Sequence, residues 1–552
     1  MSASISKLPS GHDAPEADIC LVLEGTYPYV PGGVSTWVND LVHAQSHLTF
    51  HLVTLLPDNA PREVRYELPD NVTGITAIYL NQLPPGRRWV RGIKKLHHDL
   101  EPYLLKLQQG GGLNDLHQVL KLLADQPKGL GRKALLNSRS AWEMVERMYT
   151  EGMRGMSFLD YFWTWRALLT GLFSCALFDL PKAKAYHAVS TGYAGLITAR
   201  AKLETGRPAI LTEHGIYTNE RRIEIAMADW LFEGKARGLA LEKPKRDLRD
   251  VWIDTFVSYS KACYEASDEI ITLYGGNQVM QLRDGADPDR LKIIPNGIDY
   301  ARFSKVEQKS GDRPPTIALI GRVVPIKDIK TFIRACAQLR EVTPDLRAIV
   351  MGPTDEDEEY FDECKAMVHH LALDKCLEFT GRVKLEDYLG EIDAIVLTSI
   401  SEAQPLVILE AGASGVPTVA TDVGACREMI EGLETEEPQL GPAGAIVPLS
   451  NPTATAKELA RLLGDEEWHQ QCSDAVKARV EASYNKTGLD ATYKAIYEQY
   501  RNAPTVHLTP ETEPEPPKQG PYPTNRRQRR KIRPGLAKLG IRSRRAGTGR
   551  AA

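Results

Sequence analysis

Six short apolar runs punctuate the second half of this 552-residue chain, at residues 316–320, 347–351, 377–383, 394–397, 417–420 and 444–447. Stretches with helical apolar spacing lie among and after them, at 331–339, 454–463 and 466–483. Short, continuously apolar runs read as strands buried on both faces. Strands that alternate with helices build a parallel sheet with right-handed crossovers. Such a sheet binds its ligand in the crevice outside the carboxyl ends of its strands.

The most informative of these units begins with Ala394-Ile-Val-Leu397 and continues as Ser399-Ile-Ser-Glu-Ala-Gln-Pro-Leu-Val-Ile-Leu-Glu-Ala-Gly-Ala-Ser-Gly415. Pro405 suits the first position of a helix, where its missing N–H is not needed. Glu402 then falls in the preceding loop and Glu410 in the second helical turn. Strand, polar loop and helix N-terminus together make an anion site. Two carboxylates there are out of place in a pocket for phosphate alone. They suit a ligand that also carries sugar hydroxyls, because ionised carboxylates accept hydrogen bonds from hydroxyls.

The first half repeats the pattern less regularly. Asp18-Ile-Cys-Leu-Val-Leu-Glu24 reads as a buried strand, followed by Gly25-Thr-Tyr-Pro-Tyr-Val-Pro-Gly-Gly33 and a helix over 34–43. The paired glycines are not Gly-x-Gly-x-x-Gly, so the dinucleotide fingerprint is absent. Gly32 and Gly33 leave room for a phosphate or sugar against the backbone; a plain tight turn is the competing reading. Further strands are expected at 49–55, 74–80, 185–190, 209–212 and 269–273. The alternation breaks over 87–182, which reads as a helical insertion. Its stretch Phe158-Leu-Asp-Tyr-Phe-Trp-Thr-Trp-Arg166 is first of all core material, with carbohydrate stacking or a protein partner as other readings. Glu213-His214-Gly215 sits at a strand's carboxyl end, where this architecture places its reactive groups.

A chain of this length implies two large domains. The net charge of −4 hides an asymmetry: eleven Lys and Arg and no acid lie between Arg526 and Arg550, which leaves −15 (−4 minus 11) for the rest. The Pro- and Glu-rich segment before that tail reads as extended and disordered. Acidic lipid, nucleic acid, an acidic protein surface and no partner at all are the readings open for the tail. No aromatics interleave its arginines, so single-stranded nucleic acid is the weakest of these and no specific nucleic-acid partner is expected. The eight cysteines show no CxxC spacing and read as buried, reduced thiols. Residues 1–15 lack the apolar core of a secretion signal, and the apolar run 167–178 is too short to span a bilayer. The expectation is a soluble, cytoplasmic chain that reaches a membrane only through partners or its tail.

Taken in order, the motifs resemble those of retaining glycosyltransferases of family 4, with the GT-B fold. They are Gly321-Arg322 with Lys327, Phe379-Thr-Gly-Arg-Val383, Glu402-x7-Glu410, Gly415-Val-Pro-Thr418 and Asn296-Gly-Ile-Asp299. Glu24–Ser35, Glu213-His-Gly-Ile-Tyr-Thr218 and Ser399–Leu406 are similar to PelF-like enzymes of Pel-type exopolysaccharide synthesis in biofilms. The resemblance implies two Rossmann-like domains facing across a cleft. Together with the composition, this divides the chain into a disordered N-terminus (1–17), a first domain (18–304) with the helical insertion (87–182), and a second, donor-binding domain (316–483); the basic tail is no part of the family pattern. A helix (484–502) is expected to pack back toward the first domain, ahead of a disordered linker and basic tail (503–552).

The resemblance also implies roles. Arg322 and Lys327 clamp the donor diphosphate, and Glu410 takes both ribose hydroxyls. Glu402 faces the transferred sugar. The amides of Leu406 and Val407 hold sugar or phosphate oxygens, and the backbone at Arg382-Val383 reads the base. Gly32 and Gly33 approach the diphosphate from the first domain, where His214 reaches the donor sugar. The implied reaction moves a hexose from a UDP-sugar (UDP-glucose or a UDP-N-acetylhexosamine) to a growing exopolysaccharide, beside inner-membrane synthase or export proteins. A GDP- or ADP-sugar donor, an epimerase of the same fold and a nucleotide-binding scaffold of an export complex are the alternatives. Asp355-Glu-Asp357 has the look of a metal-binding DxD but reads as a solvated acidic loop, and neither metal nor other cofactor is expected. Ala403-Gln404-Pro405 stands where many relatives carry Gly-Phe-Gly and is the expected seat of donor choice.

Overall fold

Seven strands carry the first half of the chain in a computed structural model that describes residues 8–11, 14–126, 129–153, 155–227, 247–309 and 313–508. They are β1 (Ala17–Glu24), β2 (Phe50–Leu56), β3 (Val72–Tyr79), β4 (Ala183–Ala188), β5 (Ala209–Glu213), β6 (Glu269–Thr272) and β7 (Leu291–Ile293). All pair in parallel in the order β3-β2-β1-β4-β5-β6-β7. Ile19 of β1 sits between Phe50 and Ala185. Helices cover both faces, so β1 and β2 are buried almost throughout, as their unbroken apolar sequence demands.

The second sheet is built from β8 (Thr316–Ile320), β9 (Arg347–Met351), β10 (Leu377–Gly381), β11 (Ala394–Leu397), β12 (Thr418–Thr421) and β13 (Gly444–Val447). Its parallel order is β10-β9-β8-β11-β12-β13. The strand order reverses direction between β8 and β11. That switch point makes the loops after these two strands neighbours and opens the crevice where a ligand fits. Two Rossmann-like parallel sheets of this kind are the GT-B architecture.

Between β3 and β4 lie the helices Ile93–Leu107, Leu113–Ala124, Arg132–Leu135, Arg139–Gly152 and Phe158–Leu177. The aromatic stretch of the last helix divides by helical period: Tyr161 and Trp165 are buried in the core, whereas Leu159 and Trp163 face outward. The helix Lys486–Arg501 returns to the first sheet and buries Tyr493, Ile496 and Tyr497 against it. Tyr497 shares a 2.8 Å hydrogen bond with His187 of β4, and Gln45 Nε2 donates to Asp490 O at 2.8 Å. All eight cysteines are buried and unpaired. No helix among the described residues is long and apolar enough to cross a membrane.

The structure departs from the expectations at several edges. Residues 8–11 are ordered on the first sheet: Ile75 N donates to Pro9 O at 3.1 Å and Gly11 N to Thr76 Oγ1 at 2.9 Å. β3 is an edge strand, and these residues satisfy its free groups. Residues 503–508 likewise hold to the end of the Tyr193–Thr205 helix, where Val506 N donates to Gly206 O at 2.8 Å. Pro405 is the cap, and its helix begins at Leu406. β10 stops at Gly381, so Arg382 and Val383 stand in the loop beyond it. The helix Leu248–Ala266 has no clear apolar period in the sequence because it buries Thr255, Ser258 and Ser260. The basic tail and most of the linker before it lie outside the described residues.

Candidate active site

The switch point of the second sheet draws together residues that are 75 positions apart. Thr398, just past β11, donates to the carbonyls of Lys327 (2.9 Å) and Asp328 (3.0 Å) in the loop after β8. Ile400 N donates to Ile326 O at 2.8 Å. These bonds hold the Lys327 ammonium on Glu402 Oε1, which also accepts from Ser399 Oγ at 2.7 Å. Both charged side chains are more than four-fifths buried. The loop can fold back this tightly because of Gly352, at the end of β9. A Cβ there would stand 2.1 Å from Gly321 O, and its φ of 150° favours glycine.

The helix Leu406–Ala413 starts directly after this pair, and no side chain caps it. Its first amides, Leu406 and Val407, are therefore open to an acceptor from outside, with the positive end of the helix dipole behind them. Glu410 lies one turn further in. Its half-buried carboxyl makes no hydrogen bond or ion pair among the described residues. Burial raises it above the usual carboxylate range, and nearby Arg302, which opposes this, is itself held by Glu386. A carboxylate left in such a place can accept hydrogen bonds from hydroxyls.

Arg322 stands on the rim, 54% exposed, and pairs with Glu356 at 2.7 Å. Arg382 pairs with Asp355 at 3.5 Å. Asp357 caps the helix Glu358–His370 by accepting from Tyr360 N at 2.9 Å. The acidic loop is thus more than solvated surface: two of its acids neutralise the two rim arginines. Exposed pairs of this kind are worth about 1 kcal/mol or less and exchange readily for a stronger anion. Among the described residues no cluster of His, Cys, Asp and Glu would hold a metal ion.

In the first domain the neighbours Glu213 and His214 have opposite fates. Glu213 is buried and saturated. It accepts from Thr191 Oγ1, Tyr217 N, Tyr264 OH and Gln281 Nε2, at 3.2, 3.1, 2.7 and 3.1 Å. Burial raises its carboxyl even against these donors. It is a structural knot that ties β5 to three helices, as Glu24 ties β1 to the Tyr193–Thr205 helix through Tyr193 N at 2.9 Å. His214 is only 8% exposed, yet neither ring nitrogen has a hydrogen-bond partner among the described residues. Its pKa is lowered to about 4 by burial, so the imidazole is neutral at pH 7. The ring lies edge-on to Trp37, with centroids 4.6 Å apart. Trp37 is one turn inside the helix Gly33–Ala44, which no side chain caps. Nothing stands within 4 Å of a Cβ placed on Gly32 or Gly33.

The fold therefore gathers Lys327, Glu402, Leu406, Val407 and Glu410 at one switch point, with Arg322, Arg382 and Val383 around the end of the same sheet. His214, Gly32 and Gly33 form a second group in the first domain, and no hydrogen bond or ion pair among the described residues joins the two. Gln404 is a departure. Instead of bordering this site, its side chain is 7% exposed and bonds the backbone of Asn296. Sequence reasoning marked Gln404 but not its bond to Asn296, and it missed Glu356 and Trp37, because each meets a partner far away in the chain.

Comparison with known proteins bears on the fold and the family. Residues 301–479 match the family described as glycosyl transferases group 1, and residues 17–289 match a domain of unknown function, DUF3492. The D-inositol 3-phosphate glycosyltransferase of Kineococcus radiotolerans is 29% identical over 255 residues, 43% of this chain and 54% of that protein. Its namesake from Kribbella flavida is 28% identical over 254 residues, 43% and 55% of the two chains. The chain thus spans about half the length of the curated relatives it matches. Among solved structures, Anabaena Alr3699/HepE in complex with UDP superposes with a TM-score of 0.52 at 13% identity, over 87% of this chain and 99% of that one. A glycosyltransferase from Rickettsia africae gives 0.50 at 12% identity, over 87% and 98%. At these identities the likeness is one of fold.

Proposed function

With residues 301–479 a group 1 glycosyltransferase domain, we propose that the chain is a retaining glycosyltransferase that moves a hexose from a UDP-sugar to a growing exopolysaccharide. One observation supports the reading: the Glu410 carboxyl, without a partner among the described residues, one turn inside an uncapped helix that starts beside the Lys327–Glu402 pair. Glu410 receives the ribose hydroxyls. The Leu406 and Val407 amides receive donor oxygens, and the backbone at Arg382-Val383 receives the base. Lys327 and Arg322 exchange their carboxylate partners for the diphosphate, with Gly32 and Gly33 approaching from the other domain. Fixed cations at the leaving group stabilise the charge that grows there, the electrostatic term that usually dominates such catalysis. Glu402, released from Lys327, turns to the transferred sugar, and His214 offers a neutral ring nitrogen to it.

The acceptor hydroxyl attacks the anomeric carbon on the face the diphosphate leaves. The bond to the diphosphate oxygen breaks through an oxocarbenium-like state, the new glycosidic bond forms, and a diphosphate oxygen takes the hydroxyl proton. The uridine assignment draws on the PelF-like motifs and on the UDP held by the Anabaena protein of the same fold. The exopolysaccharide acceptor and a membrane-embedded export partner draw on those motifs alone. The names of the curated relatives favour a second reading, a phosphorylated polyol as acceptor.

Thermal-shift and calorimetric titration with UDP-, GDP- and ADP-sugars tests the donor, because a ligand of the native state raises its apparent stability. The expected result is selective UDP-sugar binding, lost in Arg322→Ala and Lys327→Ala. Absence of any nucleotide-sugar binding, or full binding in both variants, overturns the reading. Turnover with glycan and with inositol phosphate acceptors separates the two acceptor classes.

A further inference from the structure

We propose that Gln404 is a positioning residue, a strut that couples the hinge between the two domains to the donor loop; the inference rests on the donor-loop assignment above. The chain leaves the first domain at Ile294, whose N–H still bonds Thr272 O of β6 at 2.9 Å. By Phe303 it belongs to the second domain, where Ser414 Oγ donates to Phe303 O at 2.9 Å. The crossing between them is Pro295-Asn296-Gly297. The return crossing lies alongside: Ile298 N donates to Tyr484 O and Lys486 N to Ile298 O, both at 2.9 Å. A Cβ on Gly297 would stand 2.6 Å from Leu489 Cδ1 and 2.9 Å from the Lys486 backbone, so the two crossings touch.

Gln404 grips this hinge at two points. Its Oε1 accepts from Asn296 N at 2.7 Å and its Nε2 donates to Asn296 O at 3.3 Å, across 108 residues of sequence. The side-chain amide thus pairs with Asn296 as a neighbouring strand residue would. Gln404 itself stands two residues after Glu402 and two before the open Leu406 amide. The same loop is braced on its other side, where Ala425 N donates to Ala403 O at 2.8 Å. Three residues on, Glu428 reaches across to the first domain and accepts from Gly275 N at 2.9 Å. A rotation about Asn296 cannot leave Glu402 and Leu406 where they were without breaking the amide pair. Gln404 therefore sets the donor loop according to the angle between the domains, and the Ala-Gln-Pro sequence serves that coupling rather than contact with the sugar.

Hydrogen exchange on the full chain, comparing wild type with Gln404→Met and Gln404→Glu, tests the strut directly. Met keeps the length and loses both bonds. Glu keeps the acceptor for Asn296 N–H and loses the donor. The expected result is at least tenfold faster exchange at Asn296 in the Met variant, a parallel loss of protection at Ile408 and Ala425, whose amides donate to Pro405 O and Ala403 O of the donor loop, and intermediate values in the Glu variant. Faster exchange at Asn296 with unchanged protection at Ile408 and Ala425 overturns the proposal.

Titration with UDP and turnover of the UDP-sugar add a readout that a merely structural residue would not move. The Met variant should bind UDP within threefold of wild type while kcat falls tenfold or more, and the Glu variant should recover part of kcat. A UDP affinity that falls in step with kcat would place Gln404 in the donor pocket and overturn the strut. A wild-type chain that takes no nucleotide sugar removes the glycosyltransferase reading, and the exchange comparison then decides the strut alone. If the Met variant fails to fold, the Glu variant carries the comparison.

Discussion

Glu410→Gln offers a test in which binding and stability move in opposite directions. The wild-type carboxyl is half-buried, has no partner among the described residues and is raised by burial, so its ionised form costs the free protein stability. Gln has nearly the same shape and no charge, and the variant should melt at the same temperature or higher. Hydrogen bonds from ribose hydroxyls to an ionised carboxylate are worth about 1.5–3 kcal/mol. Gln retains one weak acceptor, so the net loss should be about 2–3 kcal/mol, or roughly 30- to 150-fold in the Kd of UDP. Calorimetric titration with UDP at pH 7.5, beside a melting curve, reads both. A 2′-deoxy nucleotide should bind the wild type less well than UDP, and the variant should distinguish the two less. Ribose donors favour the ionised carboxyl, so UDP affinity should also fall as pH drops through the raised Glu410 value. Unchanged UDP affinity in the variant, or a clear drop in melting temperature, refutes the assignment: the first because no ribose contact was lost, the second because the carboxyl then had a structural partner.

Three further outcomes follow from the geometry. His51, His97, His187 and His214 are all depressed by burial, the first two and the last to about 4 and His187 to about 3. Unfolded histidine titrates near 6.5, so below that value the unfolded chain takes up protons that the fold refuses, and stability is lost as pH falls from about 6.5 toward 4. At pH 5.5 each contributes a loss of about 1.4 kcal/mol relative to pH 7.5, which denaturant midpoints at the two pH values should show; the carboxyls raised by burial act with the opposite sign. Gly352→Ala should cost more than about 3 kcal/mol because its Cβ meets Gly321 O at 2.1 Å, whereas Gly381→Ala, with φ 68° and open space, should cost about 1 kcal/mol by urea denaturation. Glu356→Gln should tighten UDP binding about two- to fivefold at low salt by freeing Arg322, and the gain should vanish at high ionic strength.

Much of the site was legible in the sequence because its central features are local. Glu402, Pro405 and Glu410 sit in one strand–loop–helix unit, and an apolar run followed by helical spacing announces such a unit without help from the rest of the chain. What was not legible depended on distant partners. Glu213 and His214 are adjacent and share a strand end, so nothing in their spacing says which is free. Only the arrival of Tyr264 and Gln281 on Glu213, and of Trp37 on His214, separates structural knot from open imidazole. The Asp355-Glu-Asp357 loop was legible as acidic but not as the counter-charge of Arg322 and Arg382, because exposed charges carry no periodic signature of their partners.

By itself the sequence determined the alternation of strands and helices, hence the parallel sheets, and it placed the polar loops at the strand ends. Buried parallel strands must be continuously apolar, and helices must show their turn period, so both signals survive in a single chain. Tertiary structure alone decided which loops meet. The order β10-β9-β8-β11-β12-β13 makes neighbours of Lys327 and Glu402, and the double crossing beside Asn296 brings the Gln404 side chain onto the Asn296 backbone. Strand order and side-chain pairing across 75 or 108 residues are set by the closing of the whole sheet and its crossovers, and no local pattern of residues encodes them.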